Sequence, residues 1–344
     1  MKFHRALTFY TRYFAIWVVL FGILAFVWRD TPEHPNWFRV MGTFSLIQYV
    51  PGEYLADLAP PVIKNLRACL SLNTLFFALT MFGIGVALKP DDFKRVLKTP
   101  SVVALGSAAQ FLIMPLGAFV LSRLFDLPPA LTVGLILTGA APGAMASNTM
   151  SYIAKADAAY SVSLTTVSTL ACPILTPLLT KVLAGSKLPV SFWGMFVQIL
   201  VMVIVPLLVG FAVRHRFRSQ VEKVLPVFPA ISATFIIFIC SVVIALNQER
   251  LPSATGRVLG VVLALNLYGM FAGYGVGSVF RFQVLRRRAL AIEIGMQNAG
   301  LGTALALEHI GEEAAIPAAL FVFVCIITAS VAAAFWQRTG PSPQ

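Results

Sequence analysis

Charge is what this chain has least of. Only 12% of its 344 residues are Asp, Glu, Lys or Arg, against about a quarter in a soluble globular domain. That shortage excludes a water-facing surface over most of the chain. Cysteine is scarce as well. Cys69, Cys172, Cys240 and Cys325 lie far apart, the last three inside apolar runs, and no pair has metal-ligand spacing. They read as small buried hydrophobes. The four histidines, His4, His34, His215 and His309, are equally scattered. No Ser/His/Asp grouping, metal motif or phosphate-binding loop falls within the apolar runs, so an enzyme is not expected and no cofactor is implied.

What is present is hydrophobic. Apolar residues make up 58% of the chain, and the mean hydropathy is +0.83. The expectation is an all-α polytopic membrane protein, in which each span needs about 20 mostly apolar residues. Ten runs qualify: 12–28, 70–88, 100–123, 129–154, 158–180, 190–213, 226–246, 256–280, 288–309 and 314–336. The N-terminal run has a basic start but no small-residue cleavage site, so it reads as a first span and not as a removed signal. The fourth run is interrupted by Pro142–Gly143 and the ninth by Gly295, Gly300 and Gly302.

The net charge of +12 has a membrane explanation. With the N-terminus inside, most basic residues, including the clusters "RHRFR" (214–218) and "RRR" (286–288), fall on cytoplasmic segments. Nucleic acid is therefore not an expected partner. Both termini are expected to be cytoplasmic, with the chain in the cell's inner (plasma) membrane. Residues 1–69 would hold the first span and a long outer loop. In that loop "FRVMGTFSLIQYV" is too short to span and is expected along the interface. Residues 70–185 would complete one repeat, 186–337 would form a second, and 338–344 would be a short tail.

Five spans per half require the halves to be inverted, as in transporters built from inverted repeats. The fourth span carries "GAAPGAMASNTMSYI" and the ninth "IEIGMQNAGLGTALAL", each with a Met before a polar pair. Gln110 in the third span and Asn266 in the eighth occupy matching places.

The segment "ALAIEIGMQNAGLGTALALEHI" (289–310) holds Glu293 with no Lys or Arg inside it. A carboxylate at membrane depth is costly and marks an ion or substrate path by default. The polar residues available to it mostly offer oxygen: Gln110, Ser147, Asn148, Ser161, Thr165 and Gln297. Such a set suits a hard cation. Ser161 and Thr165 lie four apart, on one helix face, and Ser168 and Thr169 continue that polar side. Glycine and Pro142 would let the two helices unwind near the midplane, which is tolerated where backbone lines a cavity.

At these residues the chain resembles the bile acid:sodium symporter family, which includes bacterial homologues of the apical sodium-dependent bile acid transporter. The resemblance covers roughly 70–335 and rests on "LTMFGIGVALKPDDF", "AQFLIMP", "GAAPGAMASN", "YSVSLTTVSTLACPILTP" and "EIGMQNAGL". It implies ten helices in two inverted five-helix repeats. Spans 1, 2, 6 and 7 would form a panel, and the rest a core in which broken helices 4 and 9 cross. It also implies two sodium ions. One would be held by Ser147, Asn148, Ser161, Thr165 and Glu293. The other would be held by Gln110, Glu293 and Gln297, with carbonyls of Ile294 and Met296. Asn298 would face substrate beside the crossing, with Ala144, Met145, Asn266 and Cys325 shaping the cavity.

Ala144, Met145, Cys325 and Ile326 depart from the family's usual residues and make the cavity more apolar. The expected function is sodium-coupled uptake of an organic monoanion, bile-acid-like or a small keto or branched acid, by alternating access. The expected partners are sodium, that anion and the bilayer. Proton-coupled or uncoupled transport on the same scaffold, as in an arsenite-type exporter using Cys172, is the alternative; an intramembrane enzyme is a more distant one.

Overall fold

A computed structural model of the chain describes residues 14–28, 31, 35–45, 70–186 and 188–339. In chain order the helices are α1 (Phe14–Val27), α2 (Trp37–Thr43), α3 (Leu72–Ala87), α4 (Pro90–Lys98), α5 (Pro100–Leu124), α6 (Pro129–Gly139), α7 (Ala146–Ile153) and α8 (Ala158–Ala184). Then come α9 (Phe192–Ile199), a π-helical turn (Leu200–Ile204), α10 (Val205–Arg216), α11 (Arg218–Val224), α12 (Phe228–Leu246), α13 (Leu251–Val279), α14 (Val284–Gly295), α15 (Ala299–His309) and α16 (Ile316–Thr339). Among the described residues there is no strand. Two isolated bridges occur, Ser45 with Ser71 and Gly143 with Gln297.

Each of the ten apolar runs carries helix. By length and composition, six described helices can cross a membrane, and α3 with α4 makes a seventh candidate. The interrupted runs fall short because each half is brief: 11 and 8 residues in α6 and α7, 12 and 11 in α14 and α15. The N-terminal basic residues Lys2, Arg5 and Arg12, most of the long first loop (46–69) and the tail from 340 lie outside the described residues. Of the segment expected at the interface (38–50), residues 38–43 lie in the short helix α2.

The chain forms two compact units. One holds the chain up to Leu88 with Trp193–Pro252, and the other holds Lys89–Phe192 with Ser253–Gln344. Each draws on both halves of the sequence.

The first unit closes by small residues and aromatics. A Cβ on Gly85 would strike the Leu207 carbonyl, and one on Gly210 the Phe82 carbonyl. The absence of side chains at both places lets α3 and α10 touch backbone to backbone, as membrane helices do. Phe77 packs edge-on to Phe235, with ring centres 5.1 Å apart. Arg214 Nη1 donates to the Val86 carbonyl at 2.7 Å, covering one of the carbonyls left open at the end of α3.

The second unit carries three prolines inside its long helices, Pro115 in α5 and Pro173 and Pro177 in α8. Each removes an i→i−4 donor. At Pro173 the freed carbonyl is that of Thr169, and the Cys172 thiol donates to it instead, at 3.1 Å. Close approach again depends on glycine. A Cβ on Gly134 would meet the Ala314 carbonyl, and one on Gly139 would lie 2.7 Å from the Met114 carbonyl.

Candidate functional site: a buried carboxylate between two broken helices

Every polar residue singled out at the two breaks belongs to the second unit. The first break runs from the end of α6 at Gly139 to Ala146, and the second from Gly295 to Ala299. Met296 is extended, with φ −112° and ψ 95°. The two opened segments pair with each other: Ala144 N–H donates to the Met296 carbonyl at 2.8 Å, and Asn298 N–H to the Pro142 carbonyl at 2.7 Å. Each break thus supplies hydrogen bonds the other has lost, which membrane-depth backbone requires. Gly300 and Gly302 do not form the second break, contrary to expectation. Both lie in the first turn of α15, after Asn298 has already capped that helix.

Glu293 is fully buried in the last turn of α14, where the helix dipole opposes a carboxylate. Hydroxyls from α7 and α8 surround it. Ser147 donates to Oε2 at 2.5 Å and Thr165 to Oε1 at 2.5 Å, while Ser161 lies 2.8 Å from Oε2. Asn148 Oδ1 stands 2.9 Å from the Ser161 hydroxyl and 3.1 Å from that of Thr165. Each hydroxyl has one proton and two lone pairs, so three protons face three amide or carboxylate oxygens. The group is rich in lone pairs and carries one negative charge. Among the described residues no Lys or Arg lies within ion-pair distance of Glu293. Arg288, five residues earlier, turns instead to Trp336. A small hard cation is what this set of oxygens can coordinate.

A second polar group adjoins the first. Gln110 Nε2 donates to Gln297 Oε1 at 3.4 Å, and Gln297 Nε2 to the Ile294 carbonyl at 2.9 Å. Gln110 Oε1 is buried and has no partner, an open acceptor in a place where such groups are normally satisfied. Gly143 lies between the groups. A Cβ there would strike Glu293 Oε1 and stand 3.4 Å from Gln110 Nε2. The Met296 carbonyl is engaged by Ala144 N–H and the Ile294 carbonyl by Gln297, each keeping its second lone pair.

The residues expected around a substrate are placed differently from one another. Ala144, Met145 and Asn298 are half-buried beside the crossing. The Asn298 side chain accepts from Leu301 N–H at 3.2 Å, so it caps α15. Asn266 is fully buried, and its amide donates to the Gly295 carbonyl at 2.7 Å. It braces the second break. Asn266→Leu is expected to leave that carbonyl unsatisfied and to cost about 1–3 kcal/mol of stability, readable as a lowered midpoint of thermal unfolding. Cys325 is buried, with its thiol 3.4 Å from the Val322 carbonyl.

Two supporting residues stand beyond those read as ligands. Ser168 Oγ accepts from Gly143 N–H at 3.3 Å, and Thr176 donates to the Ala140 carbonyl at 2.6 Å. With Ser161, Thr165 and Cys172 they form one stripe along α8 at helical spacing. Ser161, Thr165 and Ser168 were legible in the sequence as one polar side of the helix, but Thr176 and the backbone groups that Ser168 and Thr176 serve were not.

The chain matches the family model described as the sodium bile acid symporter family over residues 74–253. That match includes Gln110, Ser147, Asn148, Ser161 and Thr165, while Glu293 and Gln297 follow it. The chain is 39% identical over 268 residues to an uncharacterized sodium-dependent transporter of Bacillus subtilis, covering 78% of this chain and 84% of that one. It is 36% identical over 264 residues to a probable chloroplastic sodium/metabolite cotransporter of Arabidopsis thaliana, covering 76% and 66%. A second such plastid cotransporter, from rice (Oryza sativa subsp. japonica), is 33% identical over 303 residues, covering 88% and 72%. A multi-pass helical chain with this match is a transporter and not an enzyme: it belongs to the sodium bile acid symporter family.

Proposed function

We propose that this protein couples sodium entry to uptake of an organic monoanion. The observation that carries the proposal is the fully buried Glu293 ringed by Ser147, Ser161, Thr165 and Asn148, with no basic partner among the described residues. Relatives named for sodium dependence support the choice of cation. Two sodium ions are proposed, one on Ser147, Asn148, Ser161, Thr165 and Glu293. The other sits on Gln110, Glu293 and Gln297 with the carbonyls of Ile294 and Met296. The unpartnered Gln110 Oε1 favours the second site.

The proposed setting is the plasma membrane, with ten spans in two inverted five-helix repeats and both termini cytoplasmic. Transport would proceed by alternating access. An exporter built on a reactive Cys172 is disfavoured, because that thiol is buried and occupied with the Thr169 carbonyl.

Charge limits the substrate. Two sodium ions against one carboxylate leave a single positive charge, and the half-charges at the N-termini of α7 and α15 are offset by the opposite ones at the C-termini of α6 and α14, which end at the same breaks. A monoanion is matched and a dianion is not. Ala144 and Met145 favour an apolar body, either bile-acid-like or a small keto or branched acid. Asn298 would hold the substrate's carboxylate or a hydroxyl through its amide while its oxygen caps α15.

Uptake into proteoliposomes under a sodium gradient, against a panel of organic anions, tests the proposal. Accumulation that is equal in sodium and potassium would end it. The two sites are separable. Ser161→Ala with Thr165→Ala, and Gln110→Ala with Gln297→Ala, are each expected to raise half-saturating sodium by about 5- to 30-fold. The two pairs should act on different steps of the sodium titration. Asn298→Ala should weaken anion binding by more than it weakens sodium binding; unchanged anion affinity would assign Asn298 to capping alone.

A further inference from the structure

We propose that the basic end of the second unit holds a site for the phosphate of an anionic phospholipid, centred on Arg288. The inference does not depend on the sodium sites. α14 begins with Arg286, Arg287 and Arg288 near its start and has no acidic residue in its first turn. Cations there oppose the helix dipole, so their placement calls for negative charge from elsewhere.

Two of the three arginines are accounted for within the chain. Arg286 Nε pairs with Asp157 Oδ2 at 3.3 Å, and its guanidinium lies 5.5 Å from the centre of the Tyr160 ring. Arg287 Nε donates to the Phe282 carbonyl at 2.5 Å. Arg288 differs. It is 6% exposed, and among the described residues no carboxylate is within ion-pair reach. Its guanidinium stands 5.7 Å from the centre of the Trp336 ring and makes one hydrogen bond, at 3.4 Å, to the Trp336 carbonyl.

An arginine has five N–H donors, and burying it without a counter-charge is costly. None of its nitrogens is both fully enclosed and without a partner. Nε and Nη2, the two nitrogens without a hydrogen bond, are therefore not fully enclosed. Behind them Trp336 stacks on Tyr274, with centres 6.4 Å apart and planes 22° apart, so α13 and α16 supply an aromatic wall. At the same end Val279, Phe280 and Phe335 are exposed apolar side chains.

A planar guanidinium with spare donors, beside an apolar rim, matches a phosphodiester oxygen pair. An excess of cytoplasmic arginine accounts for basic residues at this end. It does not account for one that is buried without an acid. Arg287, whose hydrogen bond goes to a carbonyl and not to an acid, would repel a choline headgroup, which selects an anionic lipid such as phosphatidylglycerol over phosphatidylcholine.

The test uses the full chain in nanodiscs of phosphatidylcholine with a minority of phosphatidylglycerol, and native mass spectrometry of the retained lipid. Wild type is expected to retain phosphatidylglycerol selectively. Arg288→Gln should lower that selectivity by about five- to tenfold, while Arg216→Gln, at an exposed arginine of the other unit, should leave it unchanged. Should Arg288→Gln not fold, wild type alone still decides. A photoreactive phosphatidylglycerol is expected to label the segments 284–288 and 335–338. Label confined to other segments, equal retention of both lipids, wild-type selectivity in Arg288→Gln, or full displacement by inorganic phosphate would each overturn the proposal.

Discussion

Glu293→Gln is expected to abolish sodium-driven transport while leaving the protein folded and inserted. The amide keeps the shape of the side chain: with its nitrogen in the place of Oε2, the Ser147 and Ser161 hydroxyls can reverse to accept its two N–H groups while Thr165 goes on donating to its oxygen. What disappears is the only negative charge in the cluster. Removing one partner of a buried charge pair costs about 3–5 kcal/mol, which is on the order of 100-fold or more in sodium affinity. The measurement is a sodium titration of purified protein, followed by thermal unfolding with and without sodium. Wild type should unfold at a higher temperature in sodium than in potassium; Glu293→Gln should unfold at the same temperature in both. Undiminished sodium stabilisation in the variant would show that Glu293 is not a ligand.

Gly143→Ala should be nearly as damaging, for a steric reason. A Cβ at this position would strike Glu293 Oε1 and lie 3.0 Å from the carboxyl carbon. The carboxylate must swing away from Thr165, which is placed by the same packing. Losing a single hydrogen bond to a charged group costs about 1.5–3 kcal/mol, so half-saturating sodium should rise by about tenfold or more. The backbone itself tolerates alanine, since Gly143 is not among the described residues with positive φ. A normal unfolding temperature in potassium together with weakened sodium binding is the expected pair of results. If sodium affinity is unchanged, the carboxylate is free to move and the packing argument fails. If the variant does not fold in potassium either, Gly143 serves the crossing and not the ion.

The supporting residues matter to how these variants are interpreted. Ser168 holds Gly143 N–H, Thr176 holds the Ala140 carbonyl and Asn266 holds the Gly295 carbonyl. The broken backbone around Glu293 is therefore anchored from both sides. The anchors explain why a one-carbon change at Gly143 is expected to displace a side chain and not the main chain.

The sequence by itself determined the class of this protein. Hydropathy and the shortage of charge are summed along the chain, and each apolar run reports its own need to avoid water. The oxygen-bearing residues, too, were identifiable one by one, because a polar side chain at membrane depth is costly wherever it is. Convergence was decided only by tertiary structure. Glu293 meets Ser147 across 146 positions and Thr165 across 128, and Gln110 meets Gln297 across 187. Pairing over such separations depends on how α5, α7, α8 and α14 pack, and no local pattern encodes it. The same holds for the breaks. Glycine content pointed to Gly300, yet α15 is already helical there. The opening falls at 296–298, because the backbone groups exposed by one break had to find those of the other. Cys172 and Arg288 make the point for single side chains: the thiol's duty to a proline-freed carbonyl and the guanidinium's turn toward Trp336 arise from neighbours that folding brings to them.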